Sequence, residues 1–324
     1  MAGHGGRTTA SRARPLKVGL MMPQTDGMRG RGTSRWVQIR ELAQLAEDVG
    51  FDSLWVVDHF LYQLQGDDRP RGVWECWSLL SALAACTRTA ELGTLVLGLG
   101  FRNPALLAKM ADTVDEISDG RLILGVGAGY HEVEYRAFGY PFDHRVSRFE
   151  EAIQIVHGLL RQGHVDFAGK YHQARDCELR PRGPRKNGPP IMIGSIRPRM
   201  LGLLARYADS WNGYYDDTGN TLEGVQRLRD VVDSACGAAG RDPATVERTI
   251  TVLVADPSAD PWWNRLPVGR ELAIKPLSGS PQHIADALRA FGCEGIAHVQ
   301  IALEPTTPQS IAAFAPVLQQ LDQG

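Results

Sequence analysis

The sequence predicts an α/β protein, a (β/α)8 barrel with inserted loops and a small hairpin. Three observations carry this expectation. Eight short apolar runs rich in β-branched residues end in Gly, Pro, Asp or Asn, and stretches of helical period separate them. The runs are apolar on both faces, as parallel strands covered by helices must be. Eight units so evenly spaced favour a closed barrel over a doubly wound open sheet.

The expected strands are KVGLMM (17–22), SLWVVD (53–58), ELGTLVLG (91–98), RLILGVG (121–127), PIMIGS (190–195), SWNGYY (210–215), RTITVLVA (248–255) and AHVQIAL (297–303). Between the first two, Ser34 is placed to cap WVQIRELAQLAEDVG, where Val37, Leu42, Leu45, Ala46 and Val49 form one apolar stripe and Gly50 ends the run. The later helices are WECWSLLSALAACT, PALLAKMADTVDEIS, RFEEAIQIVHGLLRQ, RPRMLGLLARYA, TLEGVQRLRDVVDSACGAA, SPQHIADALRAF and TPQSIAAFAPVLQQ. A long loop at 59–74 and an alternating segment at 165–181, read as a hairpin, break the rhythm. Both are expected to cover the strand C-terminal ends. Residues 1–15 read as a flexible tail and 16–324 as one domain.

With 43% hydrophobic and 22% charged residues and a net charge of -2, the chain reads as a soluble globular protein with no electrostatic footprint for nucleic acid or a membrane surface. No apolar stretch is long enough to span a bilayer, and the basic opening segment lacks the apolar core of a secretory signal. Five scattered cysteines without a CxxC pair suit a reducing, cytoplasmic setting. No HxH, HExxH, GxSxG or GxxxxGK[ST] motif is present, so metal hydrolase, serine hydrolase and P-loop chemistry lack support.

Candidate chemistry lies where strands open into loops. Asp58 and His59 end the second strand, and an imidazole there can exchange a proton near neutral pH; Asp58 would orient it or cap the next turn. Gly125, Gly127 and Gly129 follow the fourth strand as GxGxG, with Ala128 between them and Tyr130 after. Backbone N–H groups can approach a phosphate closely there, although Tyr130 replaces the third glycine of a dinucleotide fingerprint. Gly194 and Ser195 end the fifth strand before a helix opened by Arg197 and Arg199. Between Glu178 and Asp209 no acid occurs, while Arg180, Arg182, Arg185, Lys186, Arg197, Arg199 and Arg206 supply seven cations, which points to an anion site. Leu95, Val96 and Gly98 of the third strand offer a flat apolar wall, or simply core. Trp55, Trp74, Trp77, Trp211 and Tyr214 either line the mouth or pack.

Together these segments resemble the bacterial luciferase-like monooxygenase superfamily, and more closely its coenzyme F420-dependent oxidoreductase branch. The resemblance rests on GFDSLWVVDHF (50–60), LGTLVLGLGFRNPALLAKMADTVDEISDGRLILGVGAGYHEVEYRAFGYPF (92–142), PPIMIGS (189–195) and RYADSWN (206–212). It implies a TIM barrel with a flavin or deazaflavin at its C-terminal mouth. It also implies a non-proline cis peptide at Leu95–Val96 behind the ring, Asp58 and His59 beside it, and Gly127, Ala128, Gly129, Tyr130, Gly194 and Ser195 around ring edge and phosphate. FMN-using branches often carry Arg at the position of Ala128, so the deazaflavin is favoured. Some sugar-phosphate dehydrogenases of the branch carry Glu where Tyr130 stands, which sets that substrate apart.

The expected function is hydride transfer between F420 and a small organic substrate, with His59 exchanging a proton and Arg197 or Arg199 holding the cofactor's anionic groups. FMN-dependent monooxygenation on the same barrel is the alternative, and ligand binding without turnover a third reading. The resemblance further implies a homodimer, and the missing ligand motifs leave no metal expected.

Overall fold

The computed structural model describes residues 14–26, 32–61, 71–258 and 274–323. Strand β1 (Lys17–Met21) leads through α1 (Trp36–Val49) to β2 (Ser53–Val56), and α2 (Cys76–Cys86) leads to β3 (Glu91–Thr94) and β4 (Leu97–Gly98). Then come α3 (Pro104–Ile117), β5 (Leu122–Gly127), α4 (Glu132–Phe138), α5 (Arg145–Gln162) and a hairpin of β6 (His164–Ala168) and β7 (Gln173–Glu178). The chain continues with β8 (Ile191–Gly194), α6 (Pro198–Tyr207), β9 (Ser210–Gly213), α7 (Tyr215–Thr218) and α8 (Leu222–Ala238). The last elements are β10 (Glu247–Ala255), α9 (Pro281–Cys293), β11 (Ile296–Glu304), α10 (Pro308–Ala313) and α11 (Ala315–Asp322).

Nine strands pair in the order β3-β2-β1-β11-β10-β9-β8-β5-β4, and a further β3–β5 pairing closes the ring. Every pairing in it is parallel. Because β3 and β4 are two pieces of one stave, the ring is the eight-membered barrel that the sequence predicts, and each of the eight expected runs supplies a stave.

Two apolar cores result. The larger lies between staves and helices, and a smaller one of Trp55, Leu95, Ile123 and Met192 fills the barrel. Trp55 is seated where two glycines leave space: a Cβ at Gly93 would fall 2.1 Å from its Cζ3 and one at Gly19 would fall 2.5 Å from its Nε1. The indole Nε1 donates to Ser53 Oγ at 2.7 Å, and that oxygen also bonds Nε2 of His298 at 2.7 Å. Nearby, Asn212 Nδ2 reaches Thr249 Oγ1 at 3.0 Å and Gln300 Oε1 at 2.8 Å. These networks pair Trp55, Ser53, His298, Asn212 and Thr249 inside the closed barrel, while Gln300 Nε2 and Thr251 Oγ1 are buried without a hydrogen-bond partner.

Local details differ from the sequence expectation. Helix α1 begins after Arg35 rather than Ser34, with Gln38 Oε1 accepting from the Arg35 N–H at 2.8 Å. Its buried stripe is Ile39, Leu42, Ala43 and Ala46; Val37 is exposed, and Gly50 ends the helix with φ of 110°. The expected last helix is split at Phe314, because Pro316 cannot donate to the carbonyl of Ala312. Arg14, read as part of the tail, is pinned by Asp322 at 2.7 Å and Asp52 at 3.0 Å.

The hairpin does not cover the strand C-terminal ends. Leu179 N donates to Gly163 O at the end of α5, while Glu151 near the start of α5 accepts from the N–H groups of Lys170, Tyr171 and His172 at 2.7–2.9 Å. It therefore runs back along the outside of α5. Of the expected loop at 59–74, residues 62–70 lie outside the described residues.

Burial pushes the His298 imidazole down from its ordinary 6.5 to about 3, with Lys17 adding to the effect. A histidine depressed in the folded state is protonated first in the unfolded chain, so stability falls as pH drops below 6.5 and goes on falling toward 3. His298 should therefore remove about 2 kcal/mol between pH 7 and pH 5. Urea unfolding at both pH values checks this: the acid loss should shrink by that amount in His298→Gln.

Candidate functional site

Parallel staves place all their C-terminal ends on one rim, and there a cavity of about 1370 Å³ opens. Asp58, His59, Leu95, Val96, Gly98, Gly127, Ala128, Gly129, Tyr130, Gly194, Ser195 and Arg197 all line it. Twelve of the residues singled out in the sequence thus come together from four adjacent staves. The Leu95–Val96 peptide bond is cis, where the resemblance implied it, and it occupies the break between β3 and β4.

His59 and Asp58 turn out to do separate things. The Asp58 carboxylate is buried, accepts from Gly98 N at 2.9 Å and binds the Arg102 guanidinium through two contacts of 2.7 and 2.9 Å. Arg102 also reaches Glu75 at 2.7 Å. Both oxygens of Asp58 are thereby spent on tying the second stave to the third, so the expectation that it orients His59 is corrected. The partner of His59 is Glu134, whose Oε1 lies 2.6 Å from Nδ1, while Oε2 accepts from Phe60 N at 3.3 Å. Glu134 stands in the first turn of α4, and that helix is locked down by the next residue. Tyr135 donates its hydroxyl to Ala128 O at 3.1 Å and packs on Phe101 at 4.5 Å; burial pushes its phenol up to about 12.

The glycines make a close-fitting wall. Gly129 has φ of +72°, and a Cβ there would meet the Tyr135 hydroxyl at 2.0 Å, so both the turn and the packing demand glycine. A Cβ at Gly127 would lie 2.8 Å from Val96. Across the β5–β8 pairing, Gly194 and Ser195 lead into α6, whose N-terminus has no side-chain cap and carries proline in its first turn. Its leading N–H groups, with Ile196, Arg197 and Met200 lining the same cavity, form a positive pole.

The cationic run itself disperses. Arg182 pairs with Asp112 at 3.3 Å, Arg185 with Asp115 at 2.9 Å, Arg199 with Glu150 at 2.7 Å, Arg206 with Glu150 at 3.3 Å, and Arg180 with Glu178. Sequence cannot anticipate this, since four of the five pairings join distant segments. Arg199 is therefore not at the cavity. Arg197 is; burial pushes the carboxyls of Asp217 and its neighbour Asp216 up, the positive charge of Arg197 opposes this at Asp217, and both acids line the cavity.

Of the aromatic candidates, Tyr214 lines the cavity, whereas Trp55, Trp77 and Trp211 are core and Trp74 donates to Ser34 O at 2.7 Å. Trp262 and Trp263 lie outside the described residues, and no hairpin residue lines the cavity. Sequence reasoning missed Glu134, Arg102 and Arg145; Arg145 lines the cavity, and its guanidinium donates to Gly129 O at 2.7 Å. The one available signal was an acid in a helical first turn directly after the glycine run. Among the described residues no group of three or more His, Cys, Asp or Glu could hold a metal ion, and no helix is long and apolar enough to cross a membrane.

Breaking a buried ion pair by neutralising one member costs about 3–5 kcal/mol. Asp58→Asn should lower stability by about that much in urea unfolding. Wild-type stability with lost turnover in Asp58→Asn would return a chemical role to that residue.

Comparison with known proteins agrees with this architecture. Over 226 residues, 66% of this chain and 64% of the relative, the sequence is 33% identical to an F420-dependent glucose-6-phosphate dehydrogenase of Amycolatopsis mediterranei (strain U-32). It is 29% identical over 204 residues, 62% of this chain and 54% of the relative, to an FMNH(2)-dependent dimethylsulfone monooxygenase of Pseudomonas putida. The chain thus spans about half to just under two thirds of the length of these relatives. An F420-dependent secondary alcohol dehydrogenase in complex with an F420-acetone adduct shares the fold with a TM-score of 0.76 at 20% identity, over 94% of this chain and 99% of that one. The profile of the luciferase-like monooxygenase family matches residues 16–262, from the first stave to beyond the seventh, and the chain belongs to that family of oxidoreductases.

Proposed function

We propose that this chain moves a hydride between the deazaflavin coenzyme F420 and a small organic substrate held at the barrel mouth. The observation that carries the reading is the convergence on one cavity of an apolar floor, an uncapped helix N-terminus beside a glycine wall, and a histidine braced by a buried carboxylate. A cavity of about 1370 Å³ exceeds the roughly 300–1,000 Å³ of a typical small-ligand site, which suits cofactor and substrate together.

The residues present fit such a group. Leu95, Val96 and Met21 offer a flat apolar surface to a ring system, and Gly127 and Gly129 bring backbone close without side chains in the way. The start of α6, with Ser195 and Arg197, would hold a phosphodiester. When bound, F420 supplies hydride chemistry at its deazaflavin ring. His59 would take up or return the substrate proton, and the surrounding walls would keep water from the reacting centre. Because Asp216 and Asp217 border the same cavity, an uncharged organic substrate suits it better than a phosphorylated one, and Tyr130 supports the same choice.

FMN is the second reading. Arg145, at the cavity beside Gly129, offers a cation near the glycine wall, and the Pseudomonas putida relative bears an FMNH(2)-dependent name. Ala128 at the position where FMN branches often carry Arg supports F420 instead.

Parallel absorbance titrations with oxidised F420 and FMN test the choice. F420 should bind at least about tenfold more tightly, a difference of about 1.4 kcal/mol; tighter FMN binding overturns it. Arg197→Ala should weaken F420 binding about 3- to 10-fold at low salt, the range for a partly screened charge, and Arg199→Ala should leave it unchanged. Equal losses in both variants would refute an anion site at Arg197.

A further inference from the structure

We propose that Glu134 is a positioning residue that fixes the tautomer of His59. The inference rests on the reading of His59 as the proton-exchanging group, and geometry carries it. Glu134 comes from α4, 75 residues beyond His59, and its carboxylate is 1% exposed. Its hydrogen bonds go to His59 Nδ1 at 2.6 Å and to Phe60 N at 3.3 Å, and no Lys or Arg ion pair joins it among the described residues. A carboxylate buried without a lysine or arginine is expensive unless the few donors it has are well placed. Its position in the first turn of α4 adds the favourable field of the helix N-terminus.

The consequence for the imidazole is chemical. An ionised carboxylate only accepts hydrogen bonds, so Nδ1 must carry the hydrogen, and in the neutral ring the basic lone pair then sits on Nε2. Helix α4 is held at two further points. Tyr135 anchors it under Ala128 and Gly129, and Phe138 in its last turn packs against Phe60 at 4.6 Å, beside the backbone N–H that Glu134 also binds. One carboxylate therefore holds both the side chain of His59 and the backbone that follows it. A glutamine at 134 has one oxygen for two donors. When that oxygen serves Phe60, its NH2 faces Nδ1 and favours the opposite tautomer.

Nitrogen-15 NMR of histidine-labelled protein at alkaline pH, without cofactor, reads this directly; His59→Gln identifies the His59 signals among the nine histidines. Wild type should show a protonated Nδ1 and an unprotonated Nε2, and Glu134→Gln should lose that preference. In the F420-loaded enzyme, Glu134→Gln should lower kcat on the order of 10²-fold with cofactor affinity changed less than about twofold. In a His59→Ala background the same substitution should have no further effect on kcat. A wild-type His59 protonated on Nε2 overturns the proposal, as does an equal loss from Glu134→Gln with and without His59. Should F420 turnover be absent altogether, the reading of the function fails, while the NMR result on the wild-type chain still decides the role of Glu134.

Discussion

The seating of Trp55 between Gly19 and Gly93 is the contact around which this barrel is organised. An indole projecting inward from β2 fits only because the staves on either side present no side chain at that level. It donates its ring N–H to Ser53 Oγ, which makes a separate hydrogen bond with His298 Nε2, so the lower barrel is closed by aromatic carbon and a hydrogen-bonded chain. With the floor filled, the open space lies at the C-terminal rim, where inward positions become Gly127, Gly194 and the apolar pair Leu95–Val96. The barrel has a mouth because it has a plug.

Around that mouth, connection between neighbouring staves matters more than any single side chain. Asp58 spends its charge on Arg102 and the Gly98 N–H, joining the second stave to the third. Helix α4 reaches from the end of β5 back to the end of β2 and delivers Glu134 to His59. Both carboxylates are buried, yet one is neutralised by an arginine and the other is held by an imidazole and a backbone amide. That difference in partners separates a structural brace from a group that can influence proton transfer.

The arginine-rich segment 180–206 shows how fold context redistributes charge. Asp112 and Asp115 of α3 and Glu150 of α5 take up Arg182, Arg185, Arg199 and Arg206. Pairings of this kind fasten the outer helices and the β7–β8 connection to one another. What this segment leaves for an anion at the cavity is the start of α6 with Arg197, moderated by Asp217.

The sequence alone determined the eight staves, because strands buried on both faces leave continuous apolar runs, and it determined which rim residues meet, because parallel strands carry their C-terminal residues to one end. Asp58, His59, Gly127, Gly129, Gly194 and Ser195 were legible for that reason. Tertiary structure alone decided partners. Nothing in local spacing says that Asp58 serves Arg102, that Glu134 serves His59 from 75 residues away, or that Arg199 turns from the cavity to Glu150. The hairpin was legible as alternation, but its docking along α5 depended on Glu151 receiving three backbone N–H groups. Periodicity records which face of a segment is buried. Which charged group meets which depends on distances through space that the order of residues does not encode.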